Sequence, residues 1–205
     1  VDDQFTSNIQ DAGDARKALA VLRQKRDQLS RDYAAGHLNA AQFNAMYRHY
    51  MEKSAIIEKI LESNPESEVW RNVAAQGATA FLRERFEARP IYMVIFRRDE
   101  RSPLLAKGKL PQKAARQVHR LLTVIWQSNA WKTGMARKSL GDGMWLLLTI
   151  GENALTITVF FMQPSVLQVN KVRDLHADFE RANRMALIRN VPAGRMVFPQ
   201  RALFE

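Results

Sequence analysis

Residues 144–162, MWLLLTIGENALTITVFFM, hold two apolar runs separated by Gly151-Glu152-Asn153, and the reading of this stretch decides the fold. Nineteen residues are enough to cross a bilayer as a helix. Glu152 and Asn153 at the midpoint would be costly in hydrocarbon, however, and the β-branched and aromatic content favours strands. The stretch therefore reads as a buried β-hairpin. In its second limb Leu155, Ile157 and Val159 alternate with Thr156 and Thr158, which predicts one buried face and one only partly buried.

Immediately upstream, residues 134–139 predict a short strand and Gly141-Asp142-Gly143 a turn. Before these, Ala114, Ala115, Val118, Leu122 and Ile125 form one stripe of a helix that opens at Pro111 and reaches Ala130, with Lys113, Arg116 and Arg120 displaced toward solvent. Residues 91–96 (IYMVIF) and 104–110 predict a strand pair around the charged turn at 97–101. Ser67 is an N-cap candidate for a helix carrying Trp70, Val73, Ala74, Phe81 and Leu82 to about Ala88, with Gly77 in its middle. Downstream of the hairpin, Pro164 marks a helix start, and Val166, Val169, Val172, Leu175, Phe179, Ala182 and Ala186 predict the stripe that lies across the sheet. The element order is α-β-β-α-β-β-β-α. It predicts an α+β domain over residues 66–189, a five-stranded, mainly antiparallel sheet with flanking helices.

The first 65 residues have a different character. Leu19, Leu22, Leu29 and Tyr33 recur at helical spacing up to Ala35-Gly36-His37, where Gly36 can take the left-handed backbone that ends helices. Asn39 and Gln42 then offer a capping box. The following helix sets Phe43, Tyr47, Tyr50, Ser54, Ile57 and Leu61 on a heptad seam and stops at Asn64-Pro65. The two helices predict an antiparallel hairpin, and the aromatic seam at Phe43, Tyr47 and Tyr50 is a candidate partner interface. At the other end, residues 190–205 (NVPAGRMVFPQRALFE) lack periodicity yet carry Phe198 and Phe204, so an extended tail in ordered contact is expected, with these two as further candidate interface residues.

The pattern resembles the roadblock family of dynein-light-chain-like domains, and more loosely the profilin, longin and GAF groups. The resemblance is carried by the strands at 91–96 and 104–109, Gly108-Lys109-Leu110-Pro111 ahead of the central helix, the hairpin at 144–162, and Val169-Asn170-Lys171-Val172-Arg173. It covers residues 67–189. A roadblock resemblance implies a non-enzymatic scaffold that pairs through sheet edge or helices and docks protein partners, as a homo- or hetero-oligomer. A GAF resemblance implies instead a sensory module holding a small ligand against the sheet.

Composition is that of a globular protein, 46% apolar and 25% charged. The chain has no cysteine, which excludes disulfides, thiolate metal sites and cysteine nucleophiles. The net charge of +10 is confined to one part: residues 1–65 hold nine Lys/Arg against nine Asp/Glu, and residues 66–205 hold twenty-two against twelve. Arg97, Arg98, Arg101, Lys107, Lys109, Lys113, Arg116 and Arg120 are candidate anion- or partner-binding residues, expected to gather along one edge. Such an edge suits an acidic protein first and a nucleic acid or anionic surface second, because no aromatic residues interleave with these charges; Trp126 and Trp131 fit a core or helix end.

Catalytic and cofactor motifs are missing. There is no Walker loop, no dinucleotide-binding glycine pattern and no His-x-x-x-His pair. Asp174, His176 and Asp178 read as solvent-exposed polar positions, with His176 on the opposite side of its helix from the carboxylates. His37, His49 and His119 read as surface histidines, and Asp99-Glu100 as solvated charge at a hairpin tip. No enzymatic activity, cofactor or metal is expected. The acidic start (Asp2, Asp3) has no basic n-region or apolar h-region, so a cytoplasmic location is expected.

Overall fold

The computed structural model describes residues 15–75, 79–127 and 131–204. The acidic N-terminus, Gly77 and the extension of the central helix to Ala130 lie outside the described residues. The chain divides into two compact units, residues 1–87 and 88–205.

In the first unit, α1 (Ala15–Ala34) and α2 (Ala40–Ser63) form the antiparallel hairpin. Gly36 has φ 76° at the turn, and Asn39 and Gln42 close the capping box in both directions. The heptad seam of α2 faces the other helices of the unit. Ile57 and Tyr50 are buried against Leu22 and Leu29, and Phe43 lies between Tyr33 (centroids 4.7 Å apart) and Tyr47 (5.3 Å). Of the candidate partner residues, Tyr50 is buried in the hairpin core, while Phe43 and Tyr47 are half-buried at its margin and keep part of their surface exposed.

The boundary between units also falls later than the sequence suggests, at residue 87 rather than 65. On either side of residues 76–78, which lie outside the described residues, α3 (Trp70–Ala75) and α4 (Thr79–Arg85) are helical and pack on the hairpin core. Trp70 and Ala74 are buried in it. Asn39 Nδ2 donates to Phe86 O (2.8 Å) and Gln42 Nε2 to Arg83 O (2.8 Å), so the capping box also fastens the end of α4.

The second unit is α+β. Five strands, β1 (Arg89–Arg97), β2 (Pro103–Gly108), β3 (Gly134–Gly141), β4 (Met144–Ile150) and β5 (Ala154–Phe161), form one sheet in the order β2-β1-β5-β4-β3, with every neighbouring pair antiparallel. The hairpin at 144–162 is β4–β5, and β5 is the central strand. One face carries Leu146, Leu148, Leu155, Ile157 and Val159, packed with Ala114, Val118 and Leu122 of α5 (Gln112–Gln127). The opposite face carries Leu147 and Phe160 against Val172, and Ile95 and Ala154 against Phe179 and Leu187, of α6 (Val166–Ile188).

This second face is not the partly buried one expected from the threonines: Thr156 and Thr158 are wholly buried. Helix α6 covers this face, with His176 Nδ1 2.8 Å from Thr156 Oγ1, and the C-terminal segment adds to the cover. Residues 189–204, with short 3₁₀ turns at Ala193–Arg195 and Pro199–Leu203, pack beside α6. Phe198 stacks on Phe179 at 5.3 Å, Met196 is buried, and Asn183 holds Val197 by two hydrogen bonds (Nδ2 to Val197 O 2.7 Å, Val197 N to Oδ1 2.9 Å). Phe198 thus belongs to the unit's own core rather than to a partner interface. Phe204 is half-buried, with Lys107 over its ring at 5.4 Å. No helix among the described residues is long and apolar enough to cross a membrane.

Candidate functional site: a basic groove beside an edge strand

The eight basic candidates do not share one edge. Because β5 returns between β1 and β4, β2 and β3 become opposite edges of the sheet, and the cations divide accordingly. Arg97 is buried and committed: Nη1 pairs with Glu100 Oε1 (2.5 Å) and Nη2 donates to Val191 O (2.7 Å), fixing the start of the C-terminal segment. It is removed from the binding set. Lys107 lies on β2 over Phe204, and Lys109 is exposed just after that strand.

Arg98 and Arg101 lie near the C-terminal end of α5, each over an indole, Arg98 above Trp131 (5.4 Å) and Arg101 above Trp126 (6.0 Å). The sequence did not foresee this pairing of the arginines with the two tryptophans. Trp131 Nε1 donates to Gly151 O (2.6 Å), and Trp126 packs edge-on to Phe96 (5.3 Å).

The remaining three cations converge. Residues 113, 116, 117, 120, 121 and 124 recur at i, i+3, i+4, i+7, i+8 and i+11, a helical face next to the buried stripe of α5. Across from it stands β3, whose alternation sets Lys138 on the same side as buried Leu140. Lys113, Arg116, Arg120 and Lys138, with Leu121 and Val124 as the apolar part, line an open groove of ≈ 530 Å³. Gln117 Nε2 ties α5 to β3 through Leu140 O (2.8 Å).

The position of the groove's end is set by a tight turn. Register pairs Gly141 with Met144, so Asp142-Gly143 is a two-residue hairpin loop, with φ 52° and 74°, the type I′ signature. That turn presents Asp142 to Lys113 (3.0 Å). Among the described residues Arg116, Arg120 and Lys138 have no ion-pair partner, and no acidic residue lines the groove. The first turn of α5 has no acidic residue either, so its positive dipole end adds to the potential of Lys113 and Arg116. Comparison with protein-family models, with curated proteins and with solved structures finds no match. The roadblock resemblance therefore assigns no residue roles.

The histidine reading changes at one position. His176 is buried (3% exposed) and faces the sheet, its Nδ1 2.8 Å from Thr156 Oγ1. Burial pushes its pKa down, and Glu180 opposes that shift. Asp174 and Asp178 are exposed and paired with Arg173 (3.2 Å) and Arg181 (3.1 Å). The missed signal is spacing: Val172, His176, Phe179, Asn183 and Leu187 are the buried residues of α6 and follow a 4-3-4-4 rhythm. Among the described residues no group of three His, Asp or Glu side chains is placed to hold a metal ion.

Proposed function

We propose that the protein is an interaction subunit that works by binding rather than catalysis, and that its partner is an acidic protein segment held in the groove between α5 and β3. The observation that carries this reading is the groove's charge: four lining cations, one of them paired with Asp142 at the groove's end and three without an ion pair among the described residues. Such a site raises the local concentration of an anionic partner and steers its approach. Of the other candidate contact residues, Tyr50 and Phe198 are buried within their own units, and Phe43, Tyr47 and Phe204 are half-buried. A nucleic acid is less suited. Base stacking needs open aromatic faces, and Trp126 and Trp131 each already carry an arginine.

The test is titration with a fluorescein-labelled nine-residue peptide of Glu and Thr, read by anisotropy at low and at physiological salt, beside a thymidine oligonucleotide of equal charge. The peptide is expected to bind, to weaken with salt, and to lose at least about tenfold in affinity for the double substitution Arg116→Glu/Arg120→Glu. Equal peptide binding by the wild type and that variant would overturn the assignment of the site. Tighter binding of the oligonucleotide would overturn the choice of partner.

A further inference from the structure

We infer that the acidic segment binds in extended form, as a sixth strand added to the free edge of β3, with its acidic residues at alternate positions. This inference rests on the groove reading above and specifies the partner's conformation and sequence pattern. β3 is the last strand of the sheet and pairs only with β4, so the outward backbone groups of Gly134–Gly141 have no ladder partner. The strand is exposed throughout except for Met135, which is half-buried, and Leu140. An unpaired edge of this length is a template for another strand.

The side chains next to the edge select what that strand carries. Lys138 projects to the α5 side, where Arg116 and Arg120 stand across the groove. These two arginines are four helical positions apart, a rise of about 6.0 Å. Alternate residues of a β-strand repeat every 6.6–6.8 Å or about that distance, and they point to one face. Two acidic residues at i and i+2 of an added strand therefore match Arg116 and Arg120 in spacing and direction, and a third at i+4 approaches one end of the groove. Acidic residues at i and i+1 would point to opposite faces, and only one of them would meet the groove. Val124, 60% exposed, offers an apolar shelf for the stems of such side chains.

The same edge opposes pairing with a second copy of this chain. A two-fold axis that extended the sheet through β3 would align residues of equal parity. A centred register then places Arg137 opposite its own copy, or Lys138 opposite its own, and brings two basic grooves together. Like charges directly opposite each other destabilise a strand pair. An acidic strand removes that repulsion.

Two isomeric peptides test the inference in the full chain: Glu-Thr-Glu-Thr-Glu-Thr-Glu-Thr-Glu, and Glu-Glu-Thr-Thr-Glu-Glu-Thr-Thr-Glu, in which no two glutamates stand at i and i+2. They have equal charge and composition. The alternating peptide is expected to bind at least about tenfold more tightly, and to slow amide exchange in β3. Methylating alternate backbone nitrogens on its ladder-facing side is expected to abolish that preference, since it removes strand donors and leaves the charge unchanged. Equal affinities for the two isomers, with both lost in Arg116→Glu/Arg120→Glu, would overturn strand addition and leave the basic groove standing. Binding of neither isomer would overturn both.

Discussion

The β4–β5 turn in the middle of residues 144–162 is held from outside by one carboxylate, and its removal is a quantitative test of the architecture. Glu180 on α6 accepts hydrogen bonds from the backbone amides of Glu152 (3.0 Å), Asn153 (2.7 Å) and Ala154 (2.8 Å). The three contributions differ. Glu152 is exposed, so water replaces the carboxylate there at little cost. Asn153 is half-buried and Ala154 wholly buried, and each loses a bond to a charged acceptor, about 1.5 kcal/mol apiece. Glu180→Ala is therefore expected to lower the stability of residues 88–205 by about 3 kcal/mol. Glu180→Gln keeps one carbonyl oxygen where Oε1 now serves Asn153 and Ala154, and is expected to cost about half as much.

Urea unfolding followed by tryptophan fluorescence reads this directly, because three of the four tryptophans, Trp126, Trp131 and Trp145, lie in the sheet unit. Amide exchange at Asn153 and Ala154 should accelerate in the alanine variant under conditions where the strand amides stay protected. A loss below about 1 kcal/mol for Glu180→Ala would refute the reasoning, since it would mean that water satisfies the turn as well as the carboxylate does.

Three further outcomes follow from buried polar groups. His176 has its folded-state pKa pushed below 6.5 by burial, so the unfolded chain takes up a proton first; stability is complete above 6.5 and falls as pH drops from there through the folded pKa. His176→Gln, which can keep a hydrogen bond to Thr156, should flatten that part of a urea-midpoint-versus-pH curve, and an unchanged slope would count against it. Lys53 is buried beside Ala74 O (3.4 Å), and its pKa is lowered by burial and then by Lys25. Its protonated form opposes folding, so stability of the hairpin unit should rise as pH climbs from the folded pKa toward 10.5. Lys53→Met should stabilise that unit at neutral pH and remove the rise, as measured by circular dichroism of the helices. Asn183→Ala strips the amide and carbonyl of Val197 of their partner, at a cost of about 2 kcal/mol, and should speed trypsin cleavage at Arg195 and Arg201; an unchanged cleavage rate would show that Phe198 alone retains the segment.

What the sequence made legible was whatever is written in local periodicity and caps. The hairpin at 144–162, the Asn39–Gln42 capping box, the helix end at Gly36 and the seam through Ile57 are each written in one continuous stretch of sequence. What it hid depends on strand order. The eight basic residues looked like neighbours because β1, β2 and the central helix are consecutive, yet insertion of β5 beside β1 sends β2 and β3 to opposite edges. The same topology conceals the role of Glu180, which lies 27 residues from the Asn153 amide it accepts from.

Lys138 is the instructive omission. In a run as polar as Arg137-Lys138-Ser139 it reads as one more solvated charge, and its proximity to Arg116 and Arg120 involves residues at least eighteen positions away. One signal was nevertheless present. In a strand, Lys138 shares a face with Leu140, and Leu140 is the apolar residue that must turn toward the central helix. Following that face from Leu140 back to Lys138 puts a cation on the helix side of an edge strand, where a charge commonly serves to discourage strand pairing. Here it stands opposite two more unpaired cations, and the groove repels a like-charged edge while favouring an acidic one. The same residues that guard the edge against a copy of this chain therefore define the segment it accepts.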